Sequence, residues 1–195
     1  MPKIVDPAER RREVVEAVFR VVARGGIQQA TLQNVAGEAG LAVGSVRHYF
    51  DSHRELLGAA AREMVKRVEA RVRAQLEVLR PEDDPHEVVE EIAGQFLPLD
   101  AARADETAVW LEFAVAARTD PALGSIAVEL HDGLRTVTGR LLHRLDVADP
   151  VATEHFAAVL DGLAFDATLH PERLPPETVR AVLRRHLAQL TAAGP

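Results

Sequence analysis

The chain of 195 residues is 47% hydrophobic but only 4% aromatic, enough to bury a packed core, and its lack of cysteine excludes disulfides, thiolate metal sites and cysteine nucleophiles. No stretch approaches the roughly 18 uninterrupted apolar residues of a membrane span, and Met1 to Arg12 is charged rather than signal-like, so the sequence reads as cytoplasmic. The formal net charge of −7 is uneven: residues 1–55 hold eight Lys/Arg against seven Asp/Glu, while residues 56–195 hold fifteen against twenty-three, a near-neutral head on a body that phosphate repels.

Apolar residues recur at helical spacing almost throughout, with no alternating strand, no Asn-Gly hairpin and no longer repeat, so an all-α chain is expected. A first helix after Pro7 is expected to bury Val14, Val15, Val18, Phe19 and Val22, to expose Arg12, Glu13, Glu16 and Arg20, and to stop at Gly25-Gly26. Thr31 then caps a short helix through Ala39, Gly40 turns the chain, and a second short helix runs from about Val43 to Tyr49. Asp51 or Ser52 caps a long helix to about Arg80, whose stripe of Leu57, Ala61, Met64, Val68, Val72, Leu76 and Leu79 spans roughly 40 Å. Pro81 ends it, and an acid-rich loop to Pro85 leads into a helix from about His86 to Leu99. Trp110, Phe113 and Ala117 mark another helix, Asp120-Pro121 opens one to about Leu145, Asp149-Pro150 one to about Leu169, and Pro175-Pro176 precedes the last.

Function concentrates in Leu32 to Tyr49, where two short helices must cross steeply. Ala36 is small enough to let them approach, Gly40 permits a left-handed turn and Val46 plugs the gap, with Val35, Ala39 and Leu41 beside them. Together these sizes at these positions specify a helix-turn-helix; a buried helical hairpin is the plainer alternative. The second helix of such a motif lies in the major groove with its start nearest the bases, and here it opens on Val43-Gly44-Ser45. With Val46 and Phe50 turned inward, Ser45, Arg47 and His48 face outward toward base edges or phosphates, Gly44 permits close approach, and Gln33 is a neighbour. The hydroxyl of Thr31 and the free N–H groups beside it suit a phosphate oxygen as well as a cap, and His53 and Tyr49 add backbone contacts, Tyr49 reading equally as core. Arg10, Arg11 and Arg12, interleaved with Glu9 and Glu13, form a solvated face or touch the DNA backbone.

The run from Thr31 to Phe50 (TLQNVAGEAGLAVGSVRHYF), followed by Asp51 to Leu57 (DSHRELL), resembles the DNA-binding signature of the TetR family, and the likeness covers residues 10–57. Leu160-Asp-Gly-Leu-Ala164, then Pro171 and Leu174, is similar to the penultimate helix of that family's betaine-regulator-like branch. Where many members have tyrosine in the recognition helix this chain has Arg47, and where many have lysine opening the next helix it has His53. The resemblance implies about nine helices, with an N-terminal three-helix helix-turn-helix domain at 1–55 and a helical ligand-binding and dimerisation domain at 56–195. It further implies a homodimer built chiefly by the last two long helices, sought here at Phe156, Leu160, Gly162, Leu163, Val182, Leu183 and Leu187. A ligand cavity inside the body is implied as well, with Phe96, Leu99, Trp110, Phe113, Leu130 and His131 as wall candidates that also suit ordinary core. The partners expected are a double-stranded DNA operator with an inverted repeat, a second copy of the chain and a small-molecule effector that releases a repressor from DNA.

An enzyme on the same helices is poorly supplied. Ser45 and Ser52 lie in the DNA-binding segment, Ser125 lacks a G-x-S-x-G elbow, the eight histidines are dispersed, and His86 with Glu90 reads as a surface contact. No catalytic residue, metal site or cofactor is therefore expected. The alternative to a regulator is a helical ligand-binding protein that no longer reads DNA, which the overall acidity permits.

Overall fold

A computed structural model of the chain describes residues 6–192, Ala122 by its backbone alone. Among them are nine α-helices and no strand: α1 (Pro7–Gly25), α2 (Leu32–Glu38), α3 (Val43–Tyr49), α4 (His53–Val78), α5 (Pro85–Ala93), α6 (Ala101–Ala117), α7 (Pro121–Arg144), α8 (Pro150–Leu169) and α9 (Pro176–Ala192), with short 3-10 turns at Ile27–Gln29 and Gly94–Phe96. The all-α class and the element order agree with the expectation from periodicity. Proline at the first helical position, preceded by an aspartate whose carboxylate accepts the freed N–H groups, starts α1 (Asp6), α5 (Asp84) and α8 (Asp149). One boundary differs: the helix expected to reach Leu99 ends at Ala93, because Pro98 forces Leu97 out of helical geometry to φ −116°, ψ 151°.

The chain divides into two compact units, Met1–Val65 with Ala108–Ala127, and Lys66–Thr107 with Val128–Pro195. In the first, α1 buries Val14, Val15, Ala17, Val18, Phe19 and Val22. Helices α2 and α3, of seven residues each, are too short to persist alone, and packing holds them: Val35, Ala36, Val46 and Phe50 are all buried. Complete burial of a valine such as Val46 contributes about 1.5–3 kcal/mol. Helix α2 closes through a left-handed Gly40 (φ 67°), which lets the Leu41 N–H reach the Ala36 carbonyl at 2.8 Å and the Gly40 N–H that of Gly37 at 3.2 Å. Across the same unit, Gly58 of α4 leaves room for Ile126 of α7, and Arg54 pairs with Asp120 at 3.5 Å.

The second unit has its own core. Phe156, Leu160 and Leu163 of α8 and Val179, Leu183 and Leu187 of α9 are buried where these two helices pack. Helix α9 is also clasped to α5: Arg184 holds Glu90 with two bonds of 2.8 Å, Arg180 reaches Glu91 at 3.0 Å, and His86 lies 3.1 Å from the Thr191 hydroxyl. Arg71 grips the buried Glu106 carboxylate at 2.7 and 3.1 Å and donates to the Gln95 carbonyl. A second left-handed residue, Asp146 (φ 58°), ends α7 in the same way as Gly40 ends α2, at a cost of roughly 1–2 kcal/mol that a glycine would not incur.

Candidate nucleic-acid interface

Helix α3 carries its apolar residues and its polar ones on different sides. Val46 and, at the C-cap, Phe50 are wholly buried, while Gly44, Ser45, Arg47 and His48 are exposed. Arg47 forms no ion pair among the described residues, so its charge is unneutralised at the surface. Thr31 and Gln33 at the start of α2 are exposed too, as is His53 at the start of α4; Tyr49 is half-buried, its ring edge-on to that of His48 at 5.1 Å. The Thr31 hydroxyl accepts the Asn34 N–H at 3.2 Å, a capping role that leaves its own proton to be donated outward. All eight residues belong to the first unit.

The other cations around this segment are largely spent on scaffolding. Glu38, at the end of α2, takes Arg20 at 2.6 Å and Arg24 at 3.1 Å, fastening α1 to α2; the hydrogen bond from Arg20 comes first among the causes that hold its carboxyl below the usual carboxylate range. Arg10 pairs with Glu13 along α1. Arg11 is not a purely solvated side chain: its Nη1 donates to the Tyr49 carbonyl at 2.8 Å, its guanidinium carbon lies 4.3 Å from the centre of the Phe50 ring, and its Nη2 is 3.5 Å from Glu55. The start of α4 is pinned in turn, since the Ser52 hydroxyl accepts the Glu55 N–H and the Glu55 carboxylate accepts the Asp51 N–H at 2.8 Å. Glu112 is a further member that sequence reading missed. From 85 positions downstream its carboxylate accepts the Ile27 N–H at 2.9 Å, a contact with no local signal to betray it.

The residues sought for other roles are scattered differently. Trp110 and Phe113 fall in the first unit, and Phe96, Leu99, Leu130 and His131 in the second. Phe113 is buried, Phe96, Leu99, Trp110 and Leu130 are half-buried, and His131 is exposed to solvent rather than turned into an interior. A shallow hollow of about 420 Å³ does lie between the end of α7 and the start of α8, lined by residues such as Gly139, His143, Asp149, Thr153 and Glu154, and it includes none of the six. Of the residues sought for self-association, Phe156, Leu160, Leu163, Leu183 and Leu187 are buried within the protomer and hold α8 to α9; Gly162 and Val182 alone of the seven are exposed, together with the unsought Phe165 and Leu169. Among the described residues no group of three or more His, Asp or Glu is placed to hold a metal ion, and no helix is long and apolar enough to cross a membrane.

Comparison with known proteins extends this geometry. Residues 14–60 match the family model for bacterial regulatory proteins of the tetR family, and residues 85–192 that for the C-terminal part of BetI-type transcriptional repressors. The HTH-type transcriptional regulator PksA of Bacillus subtilis is 30% identical over 97% of this chain and 94% of its own length. A transcriptional regulator from Rhodococcus sp. Rha1 superposes with a TM-score of 0.82 at 30% identity, covering 94% of this chain and 96% of its own. The multidrug binding protein EbrR complexed with ethidium superposes at 0.62 with 26% identity, over 91% of this chain and 98% of its own.

Proposed function

This chain belongs to the TetR family of bacterial transcriptional regulators, with a C-terminal part of the BetI type, and from that premise we propose that it acts in the cytoplasm as a repressor whose residues 1–55 read DNA and whose residues 56–195 bind a small molecule and a second copy of the chain. The observation that carries the DNA reading is α3: Arg47, unpaired and exposed beside Ser45 and His48, on a helix anchored by the buried Val46 and Phe50. Arg47 has the reach and the planar donor fork for a guanine edge, and Ser45 and Gly44 are small enough for close approach. Gln33 lies near the bases, and Thr31, Tyr49, His48 and His53 contact the phosphate backbone.

A two-fold dimer spaces its recognition helices by one turn of DNA, roughly 34–36 Å, so the operator is an inverted repeat. The outward residues of α8 and α9, Gly162, Phe165, Leu169 and Val182, support a self-association surface, for exposed apolar side chains on two helices that pack together suit burial against a second copy. EbrR, which binds ethidium, supports a ligand-responsive body, and an effector acts by preferring the conformation that fits DNA less well.

The test is selection of bound duplexes from a random pool, then anisotropy titration of the winner at several salt concentrations. The expected result is an enriched inverted repeat bound with a steep salt dependence, and a loss of affinity and sequence discrimination in Arg47→Ala of about 1–3 kcal/mol per head. Wild type that enriches no duplex refutes the DNA reading.

A further inference from the structure

The connection from α1 to α2 decides where Thr31 and α2 sit, and it is fastened from outside the helix-turn-helix. Gly26 takes φ 78° and ψ 169°, a conformation open to glycine, and turns the chain into the 3-10 turn Ile27–Gln29. Within the turn the Gln29 and Ala30 N–H groups bond back to Gly26 and Ile27, and the Thr31 N–H to Gln29. The Ile27 N–H instead donates to the Glu112 carboxylate of α6 at 2.9 Å. A Cβ at position 26 would stand 3.2 Å from the same carboxylate oxygen, so glycine here both adopts the backbone angle and admits the acid. Four residues after Ile27, Thr31 caps α2, and a shift of the turn is a shift of that cap.

From this geometry, and resting on the DNA reading above, we infer that Glu112 is a positioning residue for operator binding. It touches no DNA; by holding the Ile27 N–H it sets the turn that delivers Thr31 and Gln33 to the duplex. Because the acceptor sits on α6, in the 108–127 segment of the same compact unit, the pose of the reading head depends on chain far outside residues 1–55.

The experiment compares full-length wild type, Glu112→Ala, Glu112→Gln and, as a control for general destabilisation, Leu123→Ala, which opens the core of the same unit at a buried residue of α7. Operator affinity is read by anisotropy on the selected duplex across salt, and amide exchange of a peptide spanning residues 26–31 by mass spectrometry. Glu112→Ala is expected to weaken the operator complex about tenfold, to speed exchange in that peptide, and to leave the salt slope unchanged because Thr31 and Gln33 are uncharged and no cation is withdrawn from a phosphate. Glu112→Gln, whose amide oxygen still accepts the Ile27 N–H, recovers most of the affinity and the protection. Leu123→Ala lowers Tm while keeping wild-type affinity well below it. Wild-type affinity and exchange in Glu112→Ala overturn the inference, as do equal losses in Glu112→Ala and Glu112→Gln. Wild type that binds no duplex is a separate pattern, and it removes the DNA reading together with what rests on it.

Discussion

Replacing Arg11 by alanine separates a scaffolding cation from a DNA-touching one. The side chain makes three contacts, and their worth differs. The hydrogen bond to the Tyr49 carbonyl at 2.8 Å has a charged donor but a side chain 41% exposed, which places it near the low end for such bonds, about 1.5 kcal/mol. The guanidinium over Phe50 adds about 0.5 kcal/mol at a partly exposed site. The pair with Glu55, 3.5 Å apart and open to solvent on both sides, contributes next to nothing. Arg11→Ala is therefore expected to cost about 2 kcal/mol, which for a chain of this length lowers Tm by about 4–8 °C. Thermal unfolding by circular dichroism reads that loss, and duplex titration across salt reads the charge. A scaffolding arginine lowers Tm and leaves the slope of log affinity against log salt in place; a phosphate ligand leaves Tm alone and flattens the slope by about 0.9 per head. An unchanged Tm with a flatter slope would refute the assignment.

Two further outcomes follow from the second unit. On the proposed self-association, Phe165, 47% exposed beside the open Gly162, is central: in sedimentation equilibrium wild type is expected to behave as a dimer and Phe165→Glu to weaken it by about thirtyfold or more without lowering helicity; an unaltered dimer would move the interface elsewhere, and a monomeric wild type would remove the proposal. His186 is buried with an unpartnered Nε2, its ring 4.9 Å from that of His155, and burial first, then the charge of His155, pushes its pKa below 6.5. The fold thus favours the neutral ring, so the stability is complete above the unfolded value and is lost as pH falls through it toward the lower folded value. Tm should decline from neutral to mildly acidic pH in wild type and decline less in His186→Phe; parallel curves would show that another group titrates.

How much of this was legible in sequence depends on how local the cause is. Helix starts and ends were readable because Asp-Pro pairs and glycine stops act within a few residues; Ala36 and Val46 announce their packing by size, and Gly40 its turn by the left-handed backbone that glycine adopts freely. The early end of α5 was signalled by Pro98 but masked by an apolar run that continued the helical period. The α8 and α9 residues illustrate a deeper limit: Phe156, Leu160 and Leu187 show the same periodicity whether they bury against a neighbouring helix or against another protomer, so pattern alone could not sort them from Phe165 and Leu169. Arg11 and Glu112 were illegible in principle, since their roles depend on a carbonyl 38 positions away and an amide 85 positions away.

The threads that tie residues 108–127 to the head, Glu112 to Ile27, Asp120 to Arg54 and Ile126 against Gly58, bear on protein engineering. A hybrid regulator made by splicing this head onto a foreign body at position 55 or 65 would inherit the recognition helix and discard its braces, leaving the Ile27 amide bare and Arg54 without its acid. A transplant that carries residues 108–127 along with the head keeps the unit whole, and recombination between relatives that exchanges this stretch without the head, or breaks the chain within it, dismantles the braces.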